Sequence, residues 1–331
     1  MNQILPPAPP RPLAPPFEGT DGVYSQTWFP VCRSDEAEAG KVHGADFLGG
    51  RVIVMRDADG KASVLSAYCP HLGADLCTGE MIENTVRCPF HFWRYGPDGR
   101  CVTTGSGDPI PPTARLFAFP TVERYGCIFA YNGDDPSFEI PGFPDAPERL
   151  IWKTGEYEGG LPTDPWVVCC NTPDMQHIEV VHGISFDNGQ PHDQVEWTDH
   201  SMLYAFNGKH RDGAPINFRV GIYGTNIYWQ DGYIDGRWFG FIAPMGLPTP
   251  GNTRLFFAVA VEDDGSDPAA ARAFLDAMYA LEVQVATEDL PIVERARFRP
   301  GTLTRSDKSL SRFLRYLRDY PRAHPSAQFI S

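Results

Sequence analysis

Residues 69–91 constrain this chain more than any other stretch: Cys-Pro-His, sixteen intervening residues, then Cys-Pro-Phe-His. Each half offers one thiol and one imidazole, Cys69 with His71 and Cys88 with His91. A [2Fe-2S] cluster with two thiolates on one iron and two imidazoles on the other needs that mixed pair from each loop. A structural zinc favours like pairs, two cysteines close together and two histidines close together, and fits the pattern poorly. Disulfide frameworks belong to small secreted scaffolds, and a chain of 331 residues has no need of one. Pro70 and Pro89 stiffen the loops by fixing φ, and Gly73 and Gly79 allow the backbone to turn close to an inorganic core.

That length can bury a substantial core and predicts about two domains. A formal net charge of -14 argues against nucleic acid or an anionic membrane as partner, because neutralising phosphates needs clustered Lys and Arg. No apolar run is long enough to span a bilayer, and no basic segment followed by an apolar stretch marks a secretory signal. Of eight cysteines, two are assigned to iron; the others are expected as reduced core thiols in a cytoplasmic protein.

Residues 5–17 hold seven prolines, which predicts an extended arm over residues 1–23. From Tyr24 short apolar runs alternate with Gly, Asp and Asn, as in residues 50–55, 62–68 and 127–131. Such texture predicts a small β-sandwich or barrel over residues 24–135, with the two ligand loops at the tips of adjacent hairpins. The Asp-, Pro- and Gly-rich residues 133–148 predict a crossing, near Pro136, into a second domain over residues 136–331.

The second domain is expected to open on a strand at residues 165–170, with Cys169 and Cys170 facing opposite ways. Residues 171–186 then bring Asp174, His177 and His182, with Asn171 or Thr172 as cap and Pro173 in the first turn of a helix. On an ideal helix the two histidines stand about 140° apart, too wide for one metal. Either the helix is unwound or bulged there, or the histidines do not share an ion. Aromatic-rich segments at residues 202–206, 216–222, 226–230, 237–245 and 254–261 predict an antiparallel sheet. A helix over residues 266–297, started by Asp267 and Pro268, carries Glu282, Glu288, Asp289 and Glu294. A carboxylate from this group would complete two imidazoles into a facial triad on non-haem Fe(II), and position alone does not choose among the four. A last helix, capped at Ser306, buries Leu310, Phe313, Leu314 and Leu317 and turns Lys308, Arg312, Arg315 and Arg318 outward, with Arg322 just beyond; such a face either docks an acidic electron donor or, more often, pairs with acidic residues of its own fold or of a neighbouring subunit.

With both motifs in view, the sequence resembles the terminal oxygenase components of Rieske non-haem iron oxygenases from about Trp28 to Tyr320. Cys69, His71, Cys88 and His91 meet the cluster motif. Asp174, His177 and His182 meet D-x2-H-x4-H, and Glu288, Asp289, Ile292 and Glu294 meet the late E-D-x-x-I-x-E pattern, which puts the third iron ligand at Asp289. Phe92 departs from the glycine that many members carry after the second cluster histidine; in this the motif is similar to that of bacterial ketosteroid hydroxylases. The resemblance implies an α+β fold, an all-β Rieske domain followed by a helix-grip catalytic domain of antiparallel sheet plus helices. It also implies a head-to-tail homotrimer in which Asp174 bridges a cluster histidine of one subunit to an iron-bound histidine of the next. Electrons are expected from NAD(P)H through a separate reductase or ferredoxin, since no nucleotide-binding glycine loop follows a strand.

The expected activity is oxygenation of a hydrophobic cyclic substrate, aromatic or steroid-like, by a monooxygenase. Oxidative O- or N-demethylation of an aromatic is the neighbouring reading. A Rieske electron carrier without oxygen chemistry is the alternative of another class, and a zinc-stabilised binding module a third.

Overall fold

The structure, a computed structural model, describes residues 15–299 and 302–331. Most of the proline-rich arm lies outside the described residues. Its end is held: Phe17 packs against Trp166, ring centroids 5.4 Å apart, and Arg322 donates to the Pro16 carbonyl.

The first third is all β. Strands β1 (Trp28–Arg33), β2 (His43–Phe47), β3 (Gly50–Arg56) and β4 (Ala62–Ser66) are followed by the short β5 (Glu80–Ile82), β6 (Thr85–Arg87), β7 (Arg94–Tyr95) and β8 (Cys101–Thr103). Then come β9 (Ala118–Phe119), β10 (Thr121–Arg124) and β11 (Cys127–Tyr131). They form three antiparallel sheets, in the orders β9-β4-β3-β2, β10-β11-β1 and β5-β6-β7-β8. Alternating Val, Ile and Phe put Val52, Val54, Val64 and Phe29 into one core, while Ile53, Leu65, Leu76 and Val86 form a second beneath the ligand loops. Period-two patterning thus gives one strand two buried faces, and β3 serves both cores.

A second body starts at β12 (Leu150–Glu156). Residues expected as a strand at 165–170 form instead a short helix, α1 (Pro165–Cys169), with Trp166 and Cys169 buried. Pro165 occupies the first helical position, where its fixed φ suits a helix and its missing N–H costs nothing. A short apolar run is ambiguous between helix and strand, and here the proline decides it. After α2 (Met175–Val180) come β13 (Ser185–Phe186), β14 (Glu196–Trp197), β15 (Ser201–Lys209), β16 (Pro215–Tyr223), β17 (Ile227–Ile234), β18 (Arg237–Thr249) and β19 (Asn252–Glu262). The antiparallel order is β12-β19-β18-β17-β16-β15-β13, with β14 paired to β15.

Helix α3 (Pro268–Val293) lies across this sheet, its start fixed by the Asp267 side chain accepting from Ala270 N–H at 3.0 Å. Helix α4 (Lys308–Asp319) buries Phe313 and Leu317. Its cap differs from the expected Ser306: Thr304 and Asp307 cap a preceding turn reciprocally. Most of its basic side has partners in the chain, Lys308 with Asp193, Arg318 with Asp319 and Arg312 over the Trp197 ring.

The two bodies are stitched by polar contacts. Asn226 donates to the Trp28 carbonyl at 2.9 Å, Thr27 donates to Asn226 at 2.9 Å, and Arg254 donates to the Val31 carbonyl at 2.9 Å while gripping Glu156. No helix among the described residues is long and apolar enough to cross a membrane.

Candidate metal centres

The first centre is built by two loops, one leaving β4 and one at the turn between β6 and β7. In the first, Gly73 adopts φ +75°, and its N–H closes the turn onto the Cys69 carbonyl at 2.8 Å. Gly79 serves differently: a Cβ there would sit 2.5 Å from the Arg87 carbonyl, so the glycine lets the two loops approach each other. Cys69 and Cys88 are buried, His91 is half-buried and His71 is exposed. The two imidazole rings lie 4.6 Å apart, and Trp93 stacks flat on His71 at 4.5 Å. Burial pushes the Cys69 thiol up, with the hydrogen bond from Tyr95 opposing it and the neighbouring Cys88 adding to it. Two adjacent buried thiols that form no disulfide suit a cationic iron pair that would take them as thiolates. The Tyr95 hydroxyl lies 3.0 Å from Cys69 Sγ, and hydrogen bonds to cluster sulfurs tune reduction potential. Tyr95 went unremarked in the sequence because a tyrosine on a short strand carries no distinguishing signal. Phe92, where a glycine is usual, holds φ +61° with its ring exposed beneath the Arg87 guanidinium at 4.8 Å.

The second centre resolves the 140° problem by ending the helix. Asp174 caps α2, accepting from His177 N–H at 3.1 Å, and the helix stops at Val180. Gly183 then turns the chain with φ +65°, and His182, outside the helix, swings back towards His177. No bulge is needed. The two Nε2 atoms lie 3.0 Å apart, and Asp289, from α3, places Oδ1 3.1 Å from His177 Nε2 and 3.4 Å from His182 Nε2. Of the four carboxylates left open, only Asp289 joins both histidines in this group.

Ligand atoms about 2.1 Å from one ion and at right angles to each other are about 3.0 Å apart, so the three atoms are spaced as a facial metal site requires. Hydrogen bonding alone explains them less well. Glu288 accepts from His182 Nδ1 at 3.2 Å, which leaves lone-pair density on Nε2 facing the other ligands. Asp289 Oδ1 is buried without an aligned donor, although Asn171 Nδ2 donates to the companion Oδ2 at 2.9 Å. Burial would raise the Asp289 carboxyl, but hydrogen bonds and charge from the two histidines outweigh it and hold the group ionised. Arg211 grips Glu288 with both terminal nitrogens, at 2.7 and 2.5 Å, and holds that carboxyl down at about 2. Arg211 and Asn171 in its donor role went unrecognised in the sequence; Arg211 lies 29 residues from His182 in a loop without a motif.

Between α3 and the sheet lies a cavity of about 170 Å³, room for about ten waters or more. Phe218 and Val220 from β16, Phe239 and Phe241 from β18 and Phe257 from β19 line it, with His177, His182 and Asp289 at its wall. The alternate residues of β17 turn away, and Trp229 packs between the sheet and the first body.

Residues 27–119 match the family model of the Rieske [2Fe-2S] domain. A cholesterol 7-desaturase of Ciona intestinalis is 34% identical over 48% of this chain and 35% of its own length. The 3-ketosteroid-9-alpha-monooxygenase oxygenase component of Mycobacterium tuberculosis is 33% identical over 48% of this chain and 43% of its own. The matches therefore span less than half the length of these relatives. Among solved structures, NdmA of Pseudomonas putida CBB5 with caffeine superposes with TM-score 0.68 at 21% identity, covering 89% of this chain and 90% of that one. Dicamba monooxygenase bound to dicamba superposes with TM-score 0.66 at 18% identity, covering 89% and 97%. The chain thus carries a Rieske [2Fe-2S] domain over residues 27–119, and over 89% of its length it shares the fold of these two solved structures.

Proposed function

We propose that this chain is the oxygenase component of a multicomponent Rieske monooxygenase, hydroxylating a hydrophobic cyclic substrate with O2 and electrons from NAD(P)H passed on by a separate reductase or ferredoxin. One observation carries the reading: His177, His182 and Asp289 converge at the wall of an apolar cavity, in a chain that also carries a Rieske domain. Fe(II) held by two imidazoles and a carboxylate keeps positions open for oxygen.

The rest is done by the protein's own groups. Cys69 and Cys88 would hold one iron of the cluster as thiolates, and His71 and His91 the other, and the cluster would supply one-electron transfer. Glu288, pinned by Arg211, fixes the His182 ring so that Nε2 faces inward. Asn171 restrains one Asp289 oxygen and leaves the other free to bind. The aromatic wall excludes water and takes up the substrate ring. We assign Asp174 the bridge between the cluster of one subunit and the metal site of the next in a homotrimer, with the exposed His71 ring as its counterpart, and we place the protein in the cytoplasm, where its eight thiols stay reduced.

The test is turnover with purified reductase and isotopically labelled O2 on steroids, polycyclic aromatics and phenolic ethers. Labelled hydroxyl in the product supports the reading. Formaldehyde release would move it to oxidative O- or N-demethylation of an aromatic, the neighbouring reading of the sequence. A protein that accepts electrons but never consumes O2 is a carrier, and the proposal fails.

A further inference from the structure

One polar stretch of the cavity wall takes no part in metal binding. Glu282 lies on α3 seven residues before Asp289, nearly two turns on the same face, so about 10 Å separates them along the axis. Its side chain is buried and lines the cavity. Gln230 Nε2 donates to Glu282 Oε1 at 3.3 Å, and the Tyr228 hydroxyl donates to Gln230 Oε1 at 2.5 Å. Both partners stand on β17, two residues apart, and so share the cavity face.

The chain of contacts orients the carboxyl. Tyr228 occupies the amide oxygen, which turns the amide nitrogen towards Glu282. Burial pushes the Glu282 carboxyl up to about 8, against the hydrogen bond from Gln230 and the nearby His182, so in neutral solution it is chiefly an uncharged O–H donor. Among the described residues no lysine or arginine lines the cavity to take a substrate anion. A carboxyl with a single hydrogen bond costs stability that a leucine at this position would not. Its return is directional recognition in a wall otherwise made of hydrocarbon.

Resting on the oxygenase reading, we propose that Glu282, oriented by Gln230 and Tyr228, sets the specificity of the cavity by donating a hydrogen bond to a neutral keto or hydroxyl oxygen of a fused-ring substrate. The helix then acts as a ruler. A carbon roughly 10 Å from that oxygen is presented to His177, His182 and Asp289. Substrates with a carboxylate at that end are disfavoured, since no cation offsets the desolvation of their charge.

The experiment measures binding without turnover, by tryptophan fluorescence of the holoprotein, and then O2 consumption and product formation with a reductase added. Its probes are androstanone, the parent hydrocarbon androstane, and cholanate as the acid. The wild type is expected to bind the ketone about tenfold more tightly than the hydrocarbon, the worth of one hydrogen bond, and cholanate most weakly. Glu282→Leu should abolish the ketone preference, and Glu282→Gln, an isosteric donor, should keep most of it. Equal binding of ketone and hydrocarbon by the wild type overturns the inference without any variant, as does a Leu variant that keeps the preference. Selection of the ketone without O2 consumption overturns the oxygenase reading alone; oxidation of both probes without selection overturns this inference alone.

Discussion

The two centres invert each other's exposure. At the first, both thiols are sealed in the protein, Cys69 2% and Cys88 1% exposed, and the imidazoles face outward; at the second, the imidazoles themselves are enclosed, His182 being 6% exposed. A cluster that hands on electrons needs one edge at the surface. A site for oxygen chemistry needs its ligands walled from water and its substrate beside them. The centres also differ in how the chain assembles them: the first uses residues 69–91, and the second joins His177 to Asp289 across 112 positions.

The largest expected effect splits them cleanly. Cys88→Ala should remove the cluster, with its visible colour and all reductase-driven turnover, leaving about one iron per chain. His177→Ala should abolish turnover just as fully but keep the spectrum, leaving about two. Iron analysis beside absorption spectra reads both. A His177→Ala protein that kept the full iron content would remove this residue from the metal site. A smaller effect belongs to the second centre alone: Glu288→Ala leaves the His182 Nδ1–H without its acceptor and should weaken Fe(II) binding by about 10–100-fold. Titration of metal-depleted protein measures it, and an unchanged affinity would show that the Arg211–Glu288 pair does not orient the ring.

The same contrast explains what was legible in the sequence. Cys69, His71, Cys88 and His91 could be read as a set because a short, loop-built centre keeps its ligand spacing in the chain. His177 and His182 could be picked out, but how their rings come together could not, since that lies in the end of α2 and the left-handed Gly183. Asp289 emerged from the resemblance and not from helical periodicity, which leaves Glu282 and Asp289 on one face alike. Period two located the sheet strands well. The same apolar texture misled at residues 165–170, where Pro165 starts a helix. Tyr95 and Arg211 were silent because their roles depend on contacts between distant segments.

Glu282 offers a way to sharpen the comparison from the cavity side. Its native pKa of about 8 lies above the ordinary 4.5, so across that interval the native state holds a proton that the unfolded state has released. The contribution to stability is fully present below about pH 4.5 and is lost as pH rises towards 8. Glu282→Gln has no such dependence. The difference in unfolding free energy between the metal-depleted variant and wild type should therefore move in the variant's favour with rising pH, by at most a few kcal/mol, and level off above about pH 8. A difference that stays flat with pH would place the Glu282 carboxyl in solvent.

The smallest effect concerns Phe92, at the exposed edge of the first centre. Its φ of +61° costs a residue with a Cβ about 1–2 kcal/mol, and the Arg87 guanidinium over its ring returns about 0.5–1 kcal/mol. Phe92→Gly relieves the backbone but loses that contact and adds freedom to the unfolded chain, so the net change should fall within about 1 kcal/mol. Phe92→Ala loses the contact and keeps the strain. Glycine should therefore melt above alanine here, by about 2 °C, reversing the usual order of the two residues. Thermal unfolding followed by the visible absorption of the cluster compares them directly. If alanine proves the more stable, this loop does not hold the left-handed turn in solution, and the close approach of Gly105 to the His91 carbonyl, 2.1 Å from where a Cβ would stand, would have to set the loop's path instead.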